Sequence, residues 1–169
     1  MIGWYQTVFG ARIVHRNPAL AFLAFDAKHH RFAFADLEVL KPEAPQAGQR
    51  GDIGVNHVAW SFASAHDLLA TYRRLKAEGV LPYRPVHHGI TLSLYYADPD
   101  GNRMEFQVEA LSVADANSFM AGPLFAANPI GLIWDPDVLL AHAEAGATEA
   151  ELLGQPDGAK SPIPAAHGF

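Results

Sequence analysis

The sequence contains no cysteine, little charge and no long hydrophobic run. Without cysteine, a disulfide framework, a thiolate zinc site, a cysteine nucleophile and an iron–sulfur cluster are excluded. The 12 Lys and Arg residues against 18 Asp and Glu give a net charge of -6, which argues against a nucleic-acid partner. Because no apolar run reaches the roughly 18 residues of a membrane span and the sequence shows no charged-then-apolar leader before a cleavage site, we expect a cytoplasmic protein without a membrane partner. The nine histidines and the carboxylates are then the side chains available to hold a metal.

The clearest repeating unit is the second of two modules, over residues 52–109, where the pattern predicts the order β-α-β-β-β. Its predicted elements are a strand over 56–62, a helix over 64–76 ended by Gly79, a short strand over 80–86, and strands over 90–96 and 103–108 joined by a hairpin turn. Two prolines interrupt the short strand, which favours a position at the sheet edge.

The first part of the chain repeats this order incompletely. It predicts a helix over 3–9, a strand over 11–16 and a hairpin over 19–37, and its turn lies 72 positions before the turn of the second unit (98 − 26 and 103 − 31). The strand that should precede the first helix would fall before Met1. We therefore predict an α+β fold of paired βαβββ modules in which the first module lacks its first strand.

The predicted domain organisation is a single domain over residues 1–153. Its parts are a truncated first module over 1–37, a polar linker over 38–51, a second module over 52–109, and a C-terminal extension with a helix over 110–153. We expect residues 154–169 to be a disordered tail, because their composition is rich in proline, glycine and alanine.

Strand alternation places His57 and Glu105 on the more polar faces of two strands of the second module. A carboxylate in the middle of a half-buried strand is costly unless it is paired or bound to a metal, so the two side chains are a candidate half of a metal site. The alternative is that His57 is a satisfied core histidine and Glu105 an exposed strand residue.

The other polar residues allow two interpretations each. His29 and His30 end the first hairpin turn, and their position in the sequence by itself favours surface residues. His87 and His88 form either a loop pair or a substrate contact at the edge of the polar face. Tyr95 by itself is more often a packing residue than a catalytic phenol.

Several motifs together resemble one known family. They are WYQTVFGARIVHRN (4–17), FLAFDAKHHRFAFADL (22–37), NHVAWSF (56–62), LLATYRRLKAEGV (68–80), HHGITLSLYYADPDGNRMEFQVE (87–109) and NPIGLIWDPDVLL (128–140). The sequence is similar to the vicinal oxygen chelate superfamily and, within it, to the single-domain type I extradiol dioxygenases, which cleave catechol rings.

The resemblance implies specific roles. His57 and Glu105 match two of the three iron ligands of these enzymes, His30 (or His29) matches the catalytic histidine, and His88 and Tyr95 match the residues that contact the bound diol. It also implies Fe(II), with Mn(II) as the alternative, O2 and a catechol as reactants, and a homodimer or higher homo-oligomer. The remaining ligand has no position in this sequence, so the chain as given can lack activity.

The substrate expectation follows from the first hairpin. By the 72-residue offset, Ala19, Ala21, Leu23, Ala33 and Ala35 would face the site, which favours a hydrophobic diol similar to 2,3-dihydroxybiphenyl. Two other functions remain open on the same fold. One is a non-catalytic protein that binds aromatic ligands or drugs, and the other is a glyoxalase-like enzyme, although Ala33 stands where that enzyme would place a carboxylate.

Overall fold

The computed structural model describes residues 1–40, 57–128 and 130–155. Its elements in chain order are α1 (Ile2–Phe9), β1 (Arg12–Arg16), β2 (Leu20–Ala24), β3 (Phe32–Ala35), α2 (Leu37–Leu40), β4 (Val58–Ser61), α3 (Ala65–Ala77), β5 (Arg84–His87), β6 (Thr91–Ala97), β7 (Arg103–Glu109), α4 (Val113–Met120), α5 (Pro123–Ala127), β8 (Leu132–Ile133), α6 (Pro136–Glu144) and α7 (Glu149–Leu152). The described residues fall into two compact units, one formed by residues 1–40 with 98–100 and the other by residues 57–97 with 101–128 and 130–155.

The first unit is a three-stranded antiparallel sheet with α1 on one face. The strands lie in the order β1-β2-β3. Tyr5 of α1 is buried, and its ring lies 4.6 Å and 4.7 Å from the rings of Phe32 and Phe34. Helix α1 ends at Gly10, which adopts the left-handed conformation (φ 62°) that glycine reaches without a steric penalty. Burial of this aromatic cluster holds the helix against the sheet.

The second unit contains a five-stranded sheet in the order β4-β7-β6-β5-β8. Strands β4 and β7 run parallel, and the pairs β6–β7, β5–β6 and β5–β8 are antiparallel. The predicted order β-α-β-β-β is therefore present in β4, α3, β5, β6 and β7. The β6–β7 hairpin turns at Gly101, whose φ of 78° explains the glycine after Asp98-Pro99-Asp100.

Helix α3 covers one face of this sheet. Its N-terminus is capped by Ser64, whose hydroxyl accepts a hydrogen bond from the backbone N–H of Asp67. The helix and the sheet share a core of residues at most 5% exposed, namely Leu68, Leu69, Tyr72, Leu75, Leu92, Leu94, Tyr96, Met104, Phe106 and Val108. Burial of these large side chains supplies the main driving force for folding the unit.

The C-terminal extension adds a strand to the sheet edge. Strand β8 pairs with β5, so that Leu132 lies beside His87. Gly131 allows this approach, because a Cβ atom at this position would lie 2.3 Å from the carbonyl oxygen of His87. The φ angle of Gly131 is 103°, a conformation that residues with a side chain rarely adopt. Within the described ranges, no helix is long and apolar enough to cross a bilayer.

Two details differ from the sequence-based expectations. Strand β5 is an internal strand, because β8 occupies the edge that its prolines were expected to mark. Residues 38–40 of the predicted linker belong to helix α2, and residues 41–51 lie outside the described part of the chain. Of the predicted tail, only Gly154 and Gln155 are described.

Candidate active site

His57, Tyr95 and Glu105 lie on the same face of the five-stranded sheet. Glu105 on β7 is directly opposite Tyr95 on β6, and on its other side it is paired with Ala59 on β4, two positions after His57. Paired strand residues, and residues two positions apart, project from the same side of a sheet. We call this surface, which is opposite α3, the site face.

The side chains of His57 and Glu105 meet on the site face. His57 Nε2 lies 3.1 Å from Glu105 Oε2, and the Glu105 side chain is only 7% exposed, whereas that of His57 is 33% exposed. A buried carboxylate without a partner would be strongly destabilising, so this contact accounts for its presence in the middle of β7. The alternative of Glu105 as an exposed strand residue is wrong.

His88 and Tyr95 complete a compact polar group around the same carboxylate. His88 Nε2 lies 3.0 Å from the Tyr95 hydroxyl and 3.6 Å from Glu105 Oε1. The Tyr95 ring also meets the His57 ring edge to face, with centroids 5.4 Å apart. The two oxygens of Glu105 therefore each face a different histidine.

The surroundings keep His88 and Tyr95 uncharged near neutral pH. Burial lowers the pKa of His88 below its ordinary value, although the nearby Glu105 carboxylate raises it in part. Burial, the Glu105 charge and a hydrogen bond to Glu105 raise the pKa of the Tyr95 hydroxyl. A neutral imidazole and a neutral phenol can both form hydrogen bonds to the oxygens of a bound ligand.

His87 has a different position from its neighbour. It is 1% exposed, its Nδ1 accepts a hydrogen bond from the Gly89 backbone N–H (3.0 Å), and its Nε2 lies 3.0 Å from the carbonyl oxygen of Leu153. Because Nδ1 is an acceptor, Nε2 carries the proton and donates it to that carbonyl. His87 is thus a structural residue that ties β5 to the end of α7, and burial lowers its pKa.

We expect His87 to make stability depend on pH. The unfolded chain binds a proton near the ordinary histidine pKa of about 6.5, while the folded state resists it, so the stability contribution is complete above that value and is lost as the pH falls below it. Urea unfolding at several pH values between about 7.5 and 5.5 measures this effect. His87→Gln should lose less stability than the wild type over that range, and equal losses would contradict the assignment.

The predicted catalytic histidine lies in the first unit. His29 and His30 are both exposed in the turn between β2 and β3, with their Nδ1 atoms 2.6 Å apart. The His30 ring also lies 5.2 Å from the ring of Phe22, which projects from the sheet face opposite α1. This contact places the His30 ring on the face opposite α1 and so favours His30 over His29 as the catalytic histidine. The catalytic role of His30 stays a prediction.

The predicted alanine wall is wrong in its register. In the β2–β3 hairpin, Ala33 is opposite Phe22 and Ala35 is opposite Leu20, so these four residues share one face. Ala21 and Leu23 project from the other face and are buried. The pairing differs by one residue from the β6–β7 hairpin, and a shift of one residue exchanges the two faces of a strand. The face opposite α1 therefore carries Phe22 and the two alanines, together with His15, which is paired with Phe22 on β1.

His57 and Glu105 are chemically suited to one divalent cation. A neutral imidazole and a carboxylate are ordinary ligands of first-row metals, and two donors at about 2.1 Å from one ion, about 90° apart, are themselves separated by about 3.0 Å. The observed separation of 3.1 Å agrees with that arrangement. In the described part of the chain, no three His, Asp or Glu residues form a group that could hold a metal.

A separate cavity lies away from these residues. It has a volume of about 840 Å³ and lies between β8, α6 and α7, with Trp134, Leu139 and Leu152 among its lining residues. Leu92, which also lines it, projects from the α3 side of β6. None of the predicted site residues lines this cavity.

Comparison with known proteins identifies the family. Residues 1–106 match the model of the Glyoxalase/Bleomycin resistance protein/Dioxygenase superfamily. The chain is 40% identical over 154 residues to "Biphenyl-2,3-diol 1,2-dioxygenase 2" of Rhodococcus globerulus, a match that covers 90% of this chain and 78% of that protein. It is 38% identical over 154 residues to "Biphenyl-2,3-diol 1,2-dioxygenase 3" of the same organism, covering 90% of this chain and 79% of that protein.

A solved structure supports the same fold. A glyoxalase/bleomycin resistance protein/dioxygenase from Nocardioides superposes with a TM-score of 0.51 at 20% identity, over 64% of this chain and 73% of that one. Both the family and the α+β fold expected from the sequence are confirmed. The chain belongs to the glyoxalase/bleomycin resistance protein/dioxygenase superfamily, also known as the vicinal oxygen chelate superfamily.

Proposed function

We propose that the protein is an extradiol dioxygenase that cleaves a hydrophobic catechol with O2 and a divalent metal, Fe(II) in the first place and Mn(II) as the alternative. The observation that carries this proposal is the 3.1 Å contact between His57 and Glu105 on the site face. The names of the two Rhodococcus relatives support the same reaction class. A cytoplasmic location and a homodimer or higher homo-oligomer are parts of the same proposal.

In this proposal, His57 and Glu105 are two of the ligands that hold the metal, and the third ligand that the resemblance implies has no position in this sequence. When bound, Fe(II) supplies a centre at which the diol and O2 can react, as in other non-haem iron oxygenases with two histidines and one carboxylate. The Glu105 carboxylate contributes one negative charge in a buried environment, where electrostatic interactions are stronger than in water. The His57 imidazole contributes a ring nitrogen.

The neighbouring residues bind and orient the diol. His88 Nε2 and the Tyr95 hydroxyl are 3.0 Å apart and uncharged, so together they can accept and donate hydrogen bonds at the diol oxygens. His30 serves as the base that takes a proton from the diol and later returns one. An imidazole suits both directions, since it titrates near neutral pH.

Three apolar side chains on one face of the first unit support a hydrophobic ring as the substrate. Phe22, Ala33 and Ala35 project from the sheet face opposite α1, and none of them carries a polar side chain. We therefore expect aryl and alkyl catechols to be better substrates than carboxylated catechols such as protocatechuate, because a carboxylate would lose its hydration against apolar side chains.

The test is ring cleavage itself. The protein is loaded with Fe(II) without air, mixed with 2,3-dihydroxybiphenyl and then exposed to O2, and we expect a yellow ring-fission product together with O2 uptake. Metal-free protein is the matched control and should form no product. Tight binding of the diol that is independent of metal, with no product, would contradict the proposal and favour a non-catalytic ligand-binding protein.

A further inference from the structure

The turn that carries His29 and His30 is neither helix nor strand. It spans residues 25–31, between the end of β2 and the start of β3, and both histidines are exposed in it. The turn is longer than the roughly two to five residues typical of a hairpin loop. A connection of this length has many backbone conformations, so the positions of its side chains depend on the contacts made inside the turn.

Asp26 and Arg31 join the two ends of this turn. Arg31 Nε donates hydrogen bonds to Asp26 Oδ1 (3.2 Å) and Oδ2 (3.1 Å), and Arg31 Nη2 also donates to Oδ2. A guanidinium that contacts both oxygens of a carboxylate fixes the orientation of both groups, which a single point contact does not. The hydrogen bond from Arg31 lowers the pKa of the Asp26 carboxyl, so the pair is charged at neutral pH.

Two further contacts hold Asp26 to the backbone around it. Asp26 Oδ1 accepts a hydrogen bond from the backbone N–H of Lys28 (3.0 Å), a bond that aspartate commonly makes in turns. Arg12 of β1 donates a hydrogen bond from Nη1 to the Asp26 carbonyl oxygen (2.8 Å). His29 and His30 therefore lie in a short segment whose two ends are both fixed by Asp26.

The position of His30 depends on this turn, whereas that of its contact residue does not. Phe22 belongs to the regular part of β2, where it is paired with Ala33 on β3. The His30 ring lies 5.2 Å from the Phe22 ring, but its backbone lies in the turn. A change in the turn would therefore move His30 relative to a fixed Phe22.

We propose that Asp26 and Arg31 are a positioning pair that holds the turn closed and so keeps the His30 ring on Phe22, at the sheet face opposite α1. The contact between the two rings is independent of the reaction. Its consequence for turnover rests on the proposed function, in which His30 moves protons at the diol.

The first experiment is NMR of the metal-free protein. NOEs between the ring protons of His30 and Phe22 report their contact, with His30→Gln and Phe22→Leu for assignment. We expect this NOE in the wild type, and a loss of about half its intensity or more in Arg31→Gln and in Asp26→Ala, because the bidentate ion pair is removed. Absence of the NOE in the wild type, or an unchanged NOE in both variants, would overturn the proposal.

Arg73→Gln is the matched control. It makes the same chemical change in another exposed ion pair, formed with Glu144 in the second unit (3.1 Å), and should leave the NOE unchanged. The side chains of Arg31 and Asp26 are 41% and 36% exposed, and exposed ion pairs contribute little to global stability. Arg31→Gln should therefore lower Tm by no more than about 4 °C, which shows that the change is local.

Kinetics with Fe(II) and 2,3-dihydroxybiphenyl test the consequence for turnover. We expect kcat of Arg31→Gln to fall about tenfold with little change in KM, since a misplaced proton-transfer group slows the reaction without removing the substrate contacts. Arg31→Lys keeps the charge and a single contact, so its kcat should fall less. Arg73→Gln should have the kcat of the wild type.

A double-variant comparison separates positioning from a general structural role. In the His30→Gln background, Arg31→Gln should lower kcat by less than about twofold, because a residue that acts through His30 has no effect once His30 is replaced. Equal losses of kcat in both backgrounds would overturn the positioning role, since a general loss of structure acts in both.

The two measurements also separate this proposal from the proposed function. A protein with the expected NOEs that cleaves no catechol contradicts the proposed function alone. A protein that cleaves catechol with equal kcat in the wild type and Arg31→Gln overturns the positioning role alone.

Discussion

Glu105→Gln is expected to abolish ring cleavage and to weaken Fe(II) binding by at least about 100-fold. The change keeps the shape of the side chain and removes its charge, and even residues that only support a metal ligand typically contribute 10- to 100-fold in affinity. The measurement is the Fe(II) bound after anaerobic loading and gel filtration, followed by O2 uptake with 2,3-dihydroxybiphenyl.

Glu109→Gln is the matched control for this prediction. It makes the same chemical change on the same strand and the same side, at an exposed position whose carboxylate interacts with Gln107. We expect it to bind Fe(II) and turn over as the wild type does. Equal iron content in the wild type and Glu105→Gln would contradict the assignment of Glu105 as a ligand.

The metal-free stability of Glu105→Gln separates folding from function. A buried carboxylate is destabilising by itself, and a neutral amide can still form hydrogen bonds to His57 and His88. The free energy of unfolding of the metal-free variant should therefore equal or exceed that of the wild type. A marked loss of metal-free stability would instead indicate a structural role for the His57–Glu105 pair.

His30→Gln is expected to reduce kcat by about 10²- to 10⁴-fold, the usual contribution of a general acid–base residue, with little change in KM. Glutamine forms hydrogen bonds but takes up no proton near neutral pH, so diol binding is kept and proton transfer is lost. Steady-state kinetics with 2,3-dihydroxybiphenyl measure both constants.

His29→Gln is the control for the neighbouring residue. Both histidines are exposed in the same turn, but the ring of His30 packs on Phe22. We expect His29→Gln to keep the kcat of the wild type. The opposite result, a slow His29 variant and a normal His30 variant, would move the catalytic role to His29, and two normal variants would remove it from both.

Much of the second unit could be predicted from the sequence. The helical spacing of Leu68, Leu69, Tyr72 and Leu75 and the glycine that ends the helix locate α3 within two residues. The strict alternation in 91–97 and 103–109 separates an apolar face from a face with Tyr95 and Glu105, and the structure has the same division. Such local patterns depend on geometry that each segment has by itself.

The register of the first hairpin could not be predicted from the repeat. The offset of 72 residues aligns the two turns correctly, but the pairing of Ala33 with Phe22 differs by one residue from the equivalent pair in the second unit. The turn conformation and the burial of Phe32 and Phe34 under α1 decide this register, and neither is visible in spacing.

The sequence by itself determined the family, the α+β class and the presence of His57, Tyr95 and Glu105 on one side of their strands, because alternation and turn chemistry are local properties. Only the tertiary structure decided that the adjacent residues His87 and His88 have different surroundings. One faces Leu153 and the other faces Tyr95, since strand β8 and the end of α7 pack against β5 from a part of the chain more than forty residues away. Contacts between residues so far apart in the sequence depend on how the elements assemble, so local patterns do not predict them.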